Sequence, residues 1–258
     1  MSAFVTDAGD GGLPLTGERT VPGVAVENYW FRRHEVVYAR LAQLCAGRDV
    51  LEAGCGEGYG ADLIASVART VIAVDYDAAA VAHVRTRYPR VQVLAGNLAS
   101  LPLGDAAVDV VVNFQVIEHL WDQPQFITEC LRVLRPGGLL LISTPNRITF
   151  TPGSDTPVNP FHTRELNAAE LAELLTGAGF RIDGLYGVFH GPRLLEMDIR
   201  HGGSIIDAQI ARALADAPWP AELATDVAAV RTEDFDLLRA DERDIDDSLD
   251  LVAIAVHP

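Results

Sequence analysis

The sequence predicts an α/β fold, a mostly parallel sheet with helices on both faces. Three observations carry this expectation. Apolar runs of strand length ("DVLEA", "VIAVD", "DVVVN", "LLLIS") alternate with stretches of helical periodicity. A glycine-rich turn, "GCGEGYG" at 54–60, joins the first such strand to a helix. Acidic or amide side chains then follow the apolar runs, at Asp75, Asn97 and Glu118. In open α/β sheets the strand ends where such residues sit are where ligands bind.

Taken in order, residues 1–25 are rich in Gly, Thr and Pro without periodicity and read as a flexible arm. Trp30, Val37, Leu41 and Leu44 predict an amphipathic helix over 27–45. Seven strands are expected, at 49–53, 70–75, 91–95, 108–113, 138–144, 180–186 and 249–256, with helices over 59–67, 77–88, 123–134 and 167–178. Asp122 can cap the 123–134 helix, Pro124 suits its first turn, and "RPGG" is expected to stop it at Gly137. A Pro-rich loop (145–166) and a segment at 187–248 interrupt the alternation. The second is expected to be helical at 204–217 and 220–230, and its acidic stretch "EDFDLLRADERDIDD" (233–247) reads as a solvated connector. The domain expectation is one unit over 1–258: an arm and helix (1–45), a core (46–186 plus 249–258) and a helical insertion (187–248). At 258 residues and 49% hydrophobic, the chain can bury such a core.

A formal charge of −16, with all 20 basic residues Arg, argues against a nucleic-acid partner. Apolar runs stop at strand length, and the N-terminus lacks the basic and apolar regions of a secretory signal. Cys45, Cys55 and Cys130 follow neither a disulfide nor a zinc spacing. These features predict a soluble cytoplasmic protein with no membrane partner. Ile205, Ile206, Ile210 and Leu214 suit packing on the sheet or on a second copy, which leaves a homodimer open.

The glycine turn has the spacing G-x-G-x-G. Tyr59 stands where the dinucleotide pattern G-x-G-x-x-G wants its third glycine, which argues against a nicotinamide dehydrogenase. Gly54 and Gly56 let backbone approach a ligand, with Cys55 between them, and Glu52 can pair with a cationic group above the turn. No group near Cys55 in sequence would lower its pKa for nucleophilic work. Asp75, followed by Tyr76, is placed to bind a ribose diol, and Asn97, followed by Leu98, to read an adenine edge. Tyr29, Trp30 and Arg33 either close the N-terminal helix over a cofactor or pack a core.

Over about residues 27–186 plus the last strand, the chain resembles the class I S-adenosylmethionine-dependent methyltransferases. "LEAGCGEGYG" is similar to their first motif, "VDYD" to the second, "GNLASLP" to the third with Asn97 where Asp is usual, and "LRPGGLLLIS" to their turn and fifth strand. The resemblance implies a Rossmann-like sheet whose last strand is antiparallel, and S-adenosylmethionine as cofactor. "LTGERTVPG", "ENYWFRRHEVVYARL", "STPNRITFTPG", "NPFHTREL" and "HGGSIIDAQI" further resemble the mycobacterial methylmannose-polysaccharide 1-O-methyltransferases. That likeness implies methyl transfer to the anomeric hydroxyl of short 3-O-methylated mannosides, a small sugar substrate.

"NFQVIEHLWD" (113–122) places a carboxylate beside an imidazole where a strand leaves the core. A helical turn there would put Gln115, Glu118 and His119 at i, i+3 and i+4, on one side. With His162 of "NPFHTREL" they resemble the metal constellation of the small-RNA 2′-O-methyltransferases and ubiquinone-pathway O-methyltransferases, Glu-x-x-Glu-His and a later His. Gln115 replaces the first Glu. The resemblance implies Mg²⁺, whereas two imidazoles suit Mn²⁺, Co²⁺ or Zn²⁺ on chemical grounds. The alternatives are His119 as a metal-free general base, or a capping role for the pair. A phenol-like acceptor and a catalytically silent binding module are the rival functions. His34 and His83 read as surface or packed residues, and His190 and His201 border the insertion, where either can touch a sugar.

Overall fold

The computed structural model of the chain describes Leu13, residues 19–215 and residues 217–258. Most of the expected arm lies outside the described residues. In chain order the elements are α1 (Asn28–Leu41), β1 (Asp49–Ala53), α2 (Tyr59–Ala65), β2 (Thr70–Asp75), α3 (Ala78–Arg87), β3 (Gln92–Ala95), β4 (Val108–Phe114), α4 (Gln123–Val133), β5 (Leu134–Pro145), α5 (Arg147–Phe150), α6 (Ala168–Gly177), β6 (Arg181–His190), α7 (Pro192–Arg200), α8 (Ile205–Leu214), α9 (Ala221–Ala229), β7 (Phe235–Arg239) and β8 (Asp250–Val256).

The sheet order is β3-β2-β1-β4-β5-β8-β6-β7. β3, β2, β1, β4 and β5 pair in parallel, and β8 inserts antiparallel between β5 and β6. Helical crossovers cover both faces of such a sheet, so its central strands carry near-continuous apolar runs rather than an alternating pattern. Val110, Val111 and Val112 are accordingly all fully buried. The chain runs outward from β1 to β3 and returns beside β1 as β4, so strand order reverses between β1 and β4. Ligands bind at the carboxyl ends around such a reversal.

Among the described residues eight strands form where seven are expected. The extra one, β7, comes from "FDLLR" inside the stretch that reads as a solvated connector. Phe235 there is fully buried, and Ala240 N donates to Leu185 O at 2.9 Å just beyond the strand's end. Three apolar side chains and a free sheet edge outweigh the flanking acids. α7 is also unexpected. It starts on Pro192, whose fixed φ suits a first helical position, and buries Leu194 and Met197 one turn apart. Asp122 does cap α4, accepting from Gln125 N at 3.1 Å, but "RPGG" does not stop the helix. α4 ends at Val133, and Leu134 already pairs with Val108 as the first residue of β5.

The chain divides into two compact units, one comprising residues up to Val36 with Phe189–Asp236, the other Val37–Val188 with Leu237–Pro258. The second holds a core that includes Leu51, Val111, Phe126, Ile127, Leu140, Leu171 and Leu251. Burying each of these side chains contributes roughly 1.5–3 kcal/mol before entropy is counted. In the first unit, Asn28 Nδ2 reaches the carbonyls of Val227, Ala228 and Val230 at 3.0, 3.2 and 2.8 Å. These are end carbonyls of α9, which a helix leaves without internal partners. The Tyr29 hydroxyl meets His190 Nε2 at 2.7 Å, and His190 Nδ1 meets Asp198 at 2.6 Å. Among the described residues, no helix is long and apolar enough to cross a membrane.

Candidate functional site

The glycine turn is shaped by backbone bonds to the neighbouring strand. Gly54 N and Cys55 N both donate to Val74 O, at 2.8 and 3.2 Å. Gly54 has φ +87°, and a Cβ there would lie 2.5 Å from Val116 Cγ1. No other residue fits this turn, because it needs both the left-handed backbone and the missing side chain. Asp75 accepts from Gly56 N at 2.8 Å and Asp77 N at 2.9 Å, clamping the turn to the end of β2. Tyr76 beside it is 73% exposed. Asn97 is exposed, with Oδ1 accepting from Ala99 N at 2.9 Å, and Leu98 is buried.

Glu52 is 1% exposed. One oxygen accepts from the Tyr38 hydroxyl at 2.6 Å, and the other, Oε2, is buried with no partner. Burial pushes its carboxyl up to about 8, the Asp75 charge adding to the rise and the Tyr38 hydrogen bond opposing it. A buried oxygen without a donor fits a ligand that brings a cationic N–H, such as the aminium of an amino acid. Behind the turn, Glu57 accepts from the Tyr88 hydroxyl at 2.8 Å and pairs with His83 Nε2 at 2.7 Å, so His83 is a packed residue.

At the end of β4 the expected helical face does not form. Gln115 takes φ +57°, left-handed for a residue with a Cβ, at a cost of about 1–2 kcal/mol. Its N donates to Ser143 O at 3.0 Å and its Nε2 to Ser143 Oγ at 3.2 Å. Only Ile117–His119 then close a 3-10 turn, so Gln115 stands outside it. Glu118 is 1% exposed and accepts from Thr144 Oγ1 at 3.2 Å. Burial pushes it up to about 7, with His162 and Thr144 pulling the other way.

The long loop after β5 brings His162 to this turn. Thr163 N and Oγ1 donate to Glu118 O at 2.7 and 3.1 Å, and Thr163 Oγ1 is also 2.7 Å from Leu120 O. Gln123 Nε2 bridges Ile117 O and Arg164 O at 3.0 and 2.9 Å. The His119 and His162 rings lie 4.9 Å apart, nearly perpendicular. Glu118, His119 and His162 each offer a ligand atom, all within 4.8 Å of one another. Three ligands about 2.0–2.2 Å from one ion lie roughly 3–4 Å apart, so the side chains would draw together by up to about 1 Å to share one. Their donor set suits a divalent ion.

Neither Thr163 nor Gln123 is legible as a site residue, because both act through the backbone of a distant segment. Tyr38 is missed because it acts through a single side-chain hydrogen bond to Glu52, which helical periodicity does not reveal. Tyr29 and Arg33 fall in the other unit, where both are buried and the Arg33 guanidinium lies 5.5 Å over the Trp30 ring. His190 and His201 fall there too, His201 pairing with Asp226 at 2.9 Å. A cavity lined by Arg48, Asp109, Arg135 and Gly137 opens at the amino ends of the strands. Arg135 and Asp109 already pair there at 2.6 Å, which leaves little for a ligand.

The methyltransferase-domain family matches residues 51–142. A probable S-adenosylmethionine-dependent methyltransferase of Mycolicibacterium smegmatis is 76% identical over 246 residues, 95% of this chain and 96% of its own. A protein of Mycobacterium tuberculosis with the same description is 73% identical over 95% of this chain and 90% of its own. More distant is a ubiquinone biosynthesis O-methyltransferase of Rhizobium leguminosarum, 29% identical over 57% of this chain and 64% of its own. Among solved structures, a Thermotoga maritima methyltransferase superposes with TM-score 0.61 at 18% identity, covering 89% of this chain and 93% of its own. The [4+2]-cyclase SpnF superposes with TM-score 0.59 at 23% identity, covering 99% and 86%. These last two speak for the fold alone, and a cyclase among them shows how little a fold says about chemistry. The chain belongs to the class I S-adenosylmethionine-dependent methyltransferases, and S-adenosylmethionine is its cofactor.

Proposed function

We propose that the protein is an O-methyltransferase that moves the methyl group of S-adenosylmethionine to a hydroxyl of a small sugar, assisted by a divalent cation. The observation that carries the reading is the convergence of Glu118, His119 and His162 beyond β4, the strand that pairs with the glycine-turn strand β1. On the donor side, Glu52 Oε2 takes the aminium, the backbone of Gly54, Cys55 and Gly56 lines the amino-acid moiety, and Asp75 holds the ribose diol. Tyr76, Asn97 and Leu98 border the adenine, and Gln115 borders the donor and the ion.

An alcohol is a poor nucleophile toward a sulfonium methyl until its proton leaves. A divalent ion held at this site would lower that pKa by several units, as it does for water, and the proton would pass to solvent. The oxygen lone pair then forms the C–O bond while the C–S pair returns to sulfur. Glu118, His119 and His162 are the residues that would hold the ion beside the acceptor's hydroxyls. The acceptor class rests on the whole-chain resemblance to the methylmannose-polysaccharide 1-O-methyltransferases, which points to the anomeric hydroxyl of short 3-O-methylated mannosides.

The likeness to a ubiquinone biosynthesis O-methyltransferase favours a second acceptor, a phenol with an adjacent oxygen. Turnover of methylated mannose oligosaccharides and of a catechol, each with and without a chelator, tests both. Chelator-sensitive methylation of the mannoside is expected. Full activity in chelator would leave His119 as a lone general base, and turnover of the catechol alone would move the acceptor to the second class.

A further inference from the structure

The cluster depends on a residue behind it. Both histidines are held through their ring nitrogens by the loop after β5. His119 Nδ1 lies 3.0 Å from Phe161 O, and a carbonyl only accepts, so Nδ1 carries a proton. His162 Nδ1 lies 2.7 Å from Glu165 Oε1. On the other side of that ring, Asn159 Nδ2 lies 3.1 Å from His162 Nε2. The Asn159 amide cannot be turned round, because its Oδ1 accepts from Phe161 N at 3.0 Å. Asn159 therefore donates, and His162 Nε2 must offer its lone pair. Phe150 lies along the same ring, centroids 5.4 Å apart and planes 30° from parallel.

Glu165 is 3% exposed, and its second oxygen, Oε2, is buried without a partner. A carboxylate buried with one oxygen unsatisfied is a costly way to staple a loop, and an apolar side chain of similar size would do that at lower cost. What an apolar residue cannot do is fix which nitrogen of a histidine carries the proton.

We propose that Glu165 is a positioning residue that locks His162 in its Nδ1–H form, so that the Nε2 lone pair, which Asn159 takes in this structure, is the one an ion would use. The inference rests on the cation site proposed above. A carboxylate behind a ligating imidazole fixes its orientation and raises its basicity, and losing such a partner typically lowers ion affinity about 10–100-fold.

The test uses the full chain without acceptor and compares it with Glu165→Gln by Mn²⁺ titration and by nitrogen NMR of the histidine rings. In the unsubstituted protein His162 is expected as the Nδ1–H tautomer. The variant is expected to bind Mn²⁺ about 10–100-fold more weakly and to populate Nε2–H, with S-adenosylmethionine affinity and melting temperature unchanged. Mn²⁺ affinity within twofold of the parent with His162 still Nδ1–H would overturn the proposal. Nε2–H in the parent protein would overturn it without any variant, so a misfolded variant does not decide the matter. If neither protein binds Mn²⁺ while the tautomer shifts in the variant, the cation reading fails and the role of Glu165 stands.

Discussion

The glycine turn and the Glu118–His119–His162 cluster both sit at strand ends of the same unit, yet they are held differently. At the glycine turn the strands do the holding. Asp75 ends β2, grips Gly56 N nineteen residues back, and fixes the turn between two strands already paired in parallel. At the cluster a loop does the holding. His119 reaches Phe161 across 42 residues and Thr163 reaches Glu118 across 45. The first arrangement is built from two adjacent strand ends of the sheet, whereas the second exists only while one Pro-rich loop is docked. Donor binding and chemistry should therefore be separable by substitution.

The largest expected effect tests that separation directly. His162→Ala should lower turnover more than ~100-fold, beyond the range for losing a partner of a ligand, and leave S-adenosylmethionine affinity within about twofold. Added Mg²⁺ or Mn²⁺ should restore the chelated parent protein but not the variant. Equal losses in donor affinity and turnover, read by calorimetry and single-turnover rates, would mean that the loop supports both ends of the site.

Asp75→Ala is the reciprocal experiment. It removes the proposed ribose contact, worth roughly 1.5–3 kcal/mol for a bond to a charged group, and strands Gly56 N and Asp77 N. The expected loss of donor affinity is therefore at least ~10-fold, with Mn²⁺ affinity unchanged. A folded variant that binds donor normally would take Asp75 out of the site.

The same contrast explains what could be read in advance. The parallel strands, the glycine turn and Asp75 come from contiguous stretches whose pattern survives folding, so β1, β2 and α3 fall within a residue or two of expectation. The pairing of His119 with His162 is reachable only through resemblance, since nothing local links positions 119 and 162. β7 and α7 are missed because Phe235 and Leu194 lie inside segments whose composition is polar on average. The Gln115 backbone misleads for a sharper reason. A left-handed residue breaks helical phase, and the i, i+3, i+4 argument assumes that phase is continuous. Glu165 stands three residues after His162, and its spacing could have suggested a partner.

Glu52 gives donor binding at the glycine turn a pH signature. Its carboxyl titrates near 8 in the donor-free protein because burial disfavours the charge. The proposed pairing with the donor's aminium would favour the charged form, so binding should release a proton whenever Glu52 starts protonated. Affinity should rise with pH by up to about tenfold per unit across the neutral range and level off near 8. The fold itself responds oppositely. A carboxylate raised above its unfolded value costs the folded state increasingly as pH climbs from the ordinary carboxylate range toward 8. Glu52→Gln should flatten the affinity profile and remove that loss of stability. An unchanged slope in the variant would assign the titration to another group.

Asn159 carries the smallest expected effect, and its sign is what matters. In the ion-free protein its Nδ2 occupies the lone pair of His162 Nε2, so an ion must displace that hydrogen bond to use the histidine. A neutral hydrogen bond contributes about 0.5–1.5 kcal/mol net. Asn159→Ala should accordingly tighten Mn²⁺ binding by about 2–10-fold, the opposite direction to Glu165→Gln. The substitution also frees Phe161 N from the Asn159 oxygen, so the loop must be shown to stay docked. Ring NMR of His119 serves for that, because its Nδ1–H contact with Phe161 O reports docking independently. A variant with His119 unchanged but weaker Mn²⁺ binding would mean that Asn159 turns its oxygen to the ion and belongs among its ligands. Stronger binding would keep Asn159 as the group that holds the ion's place on His162.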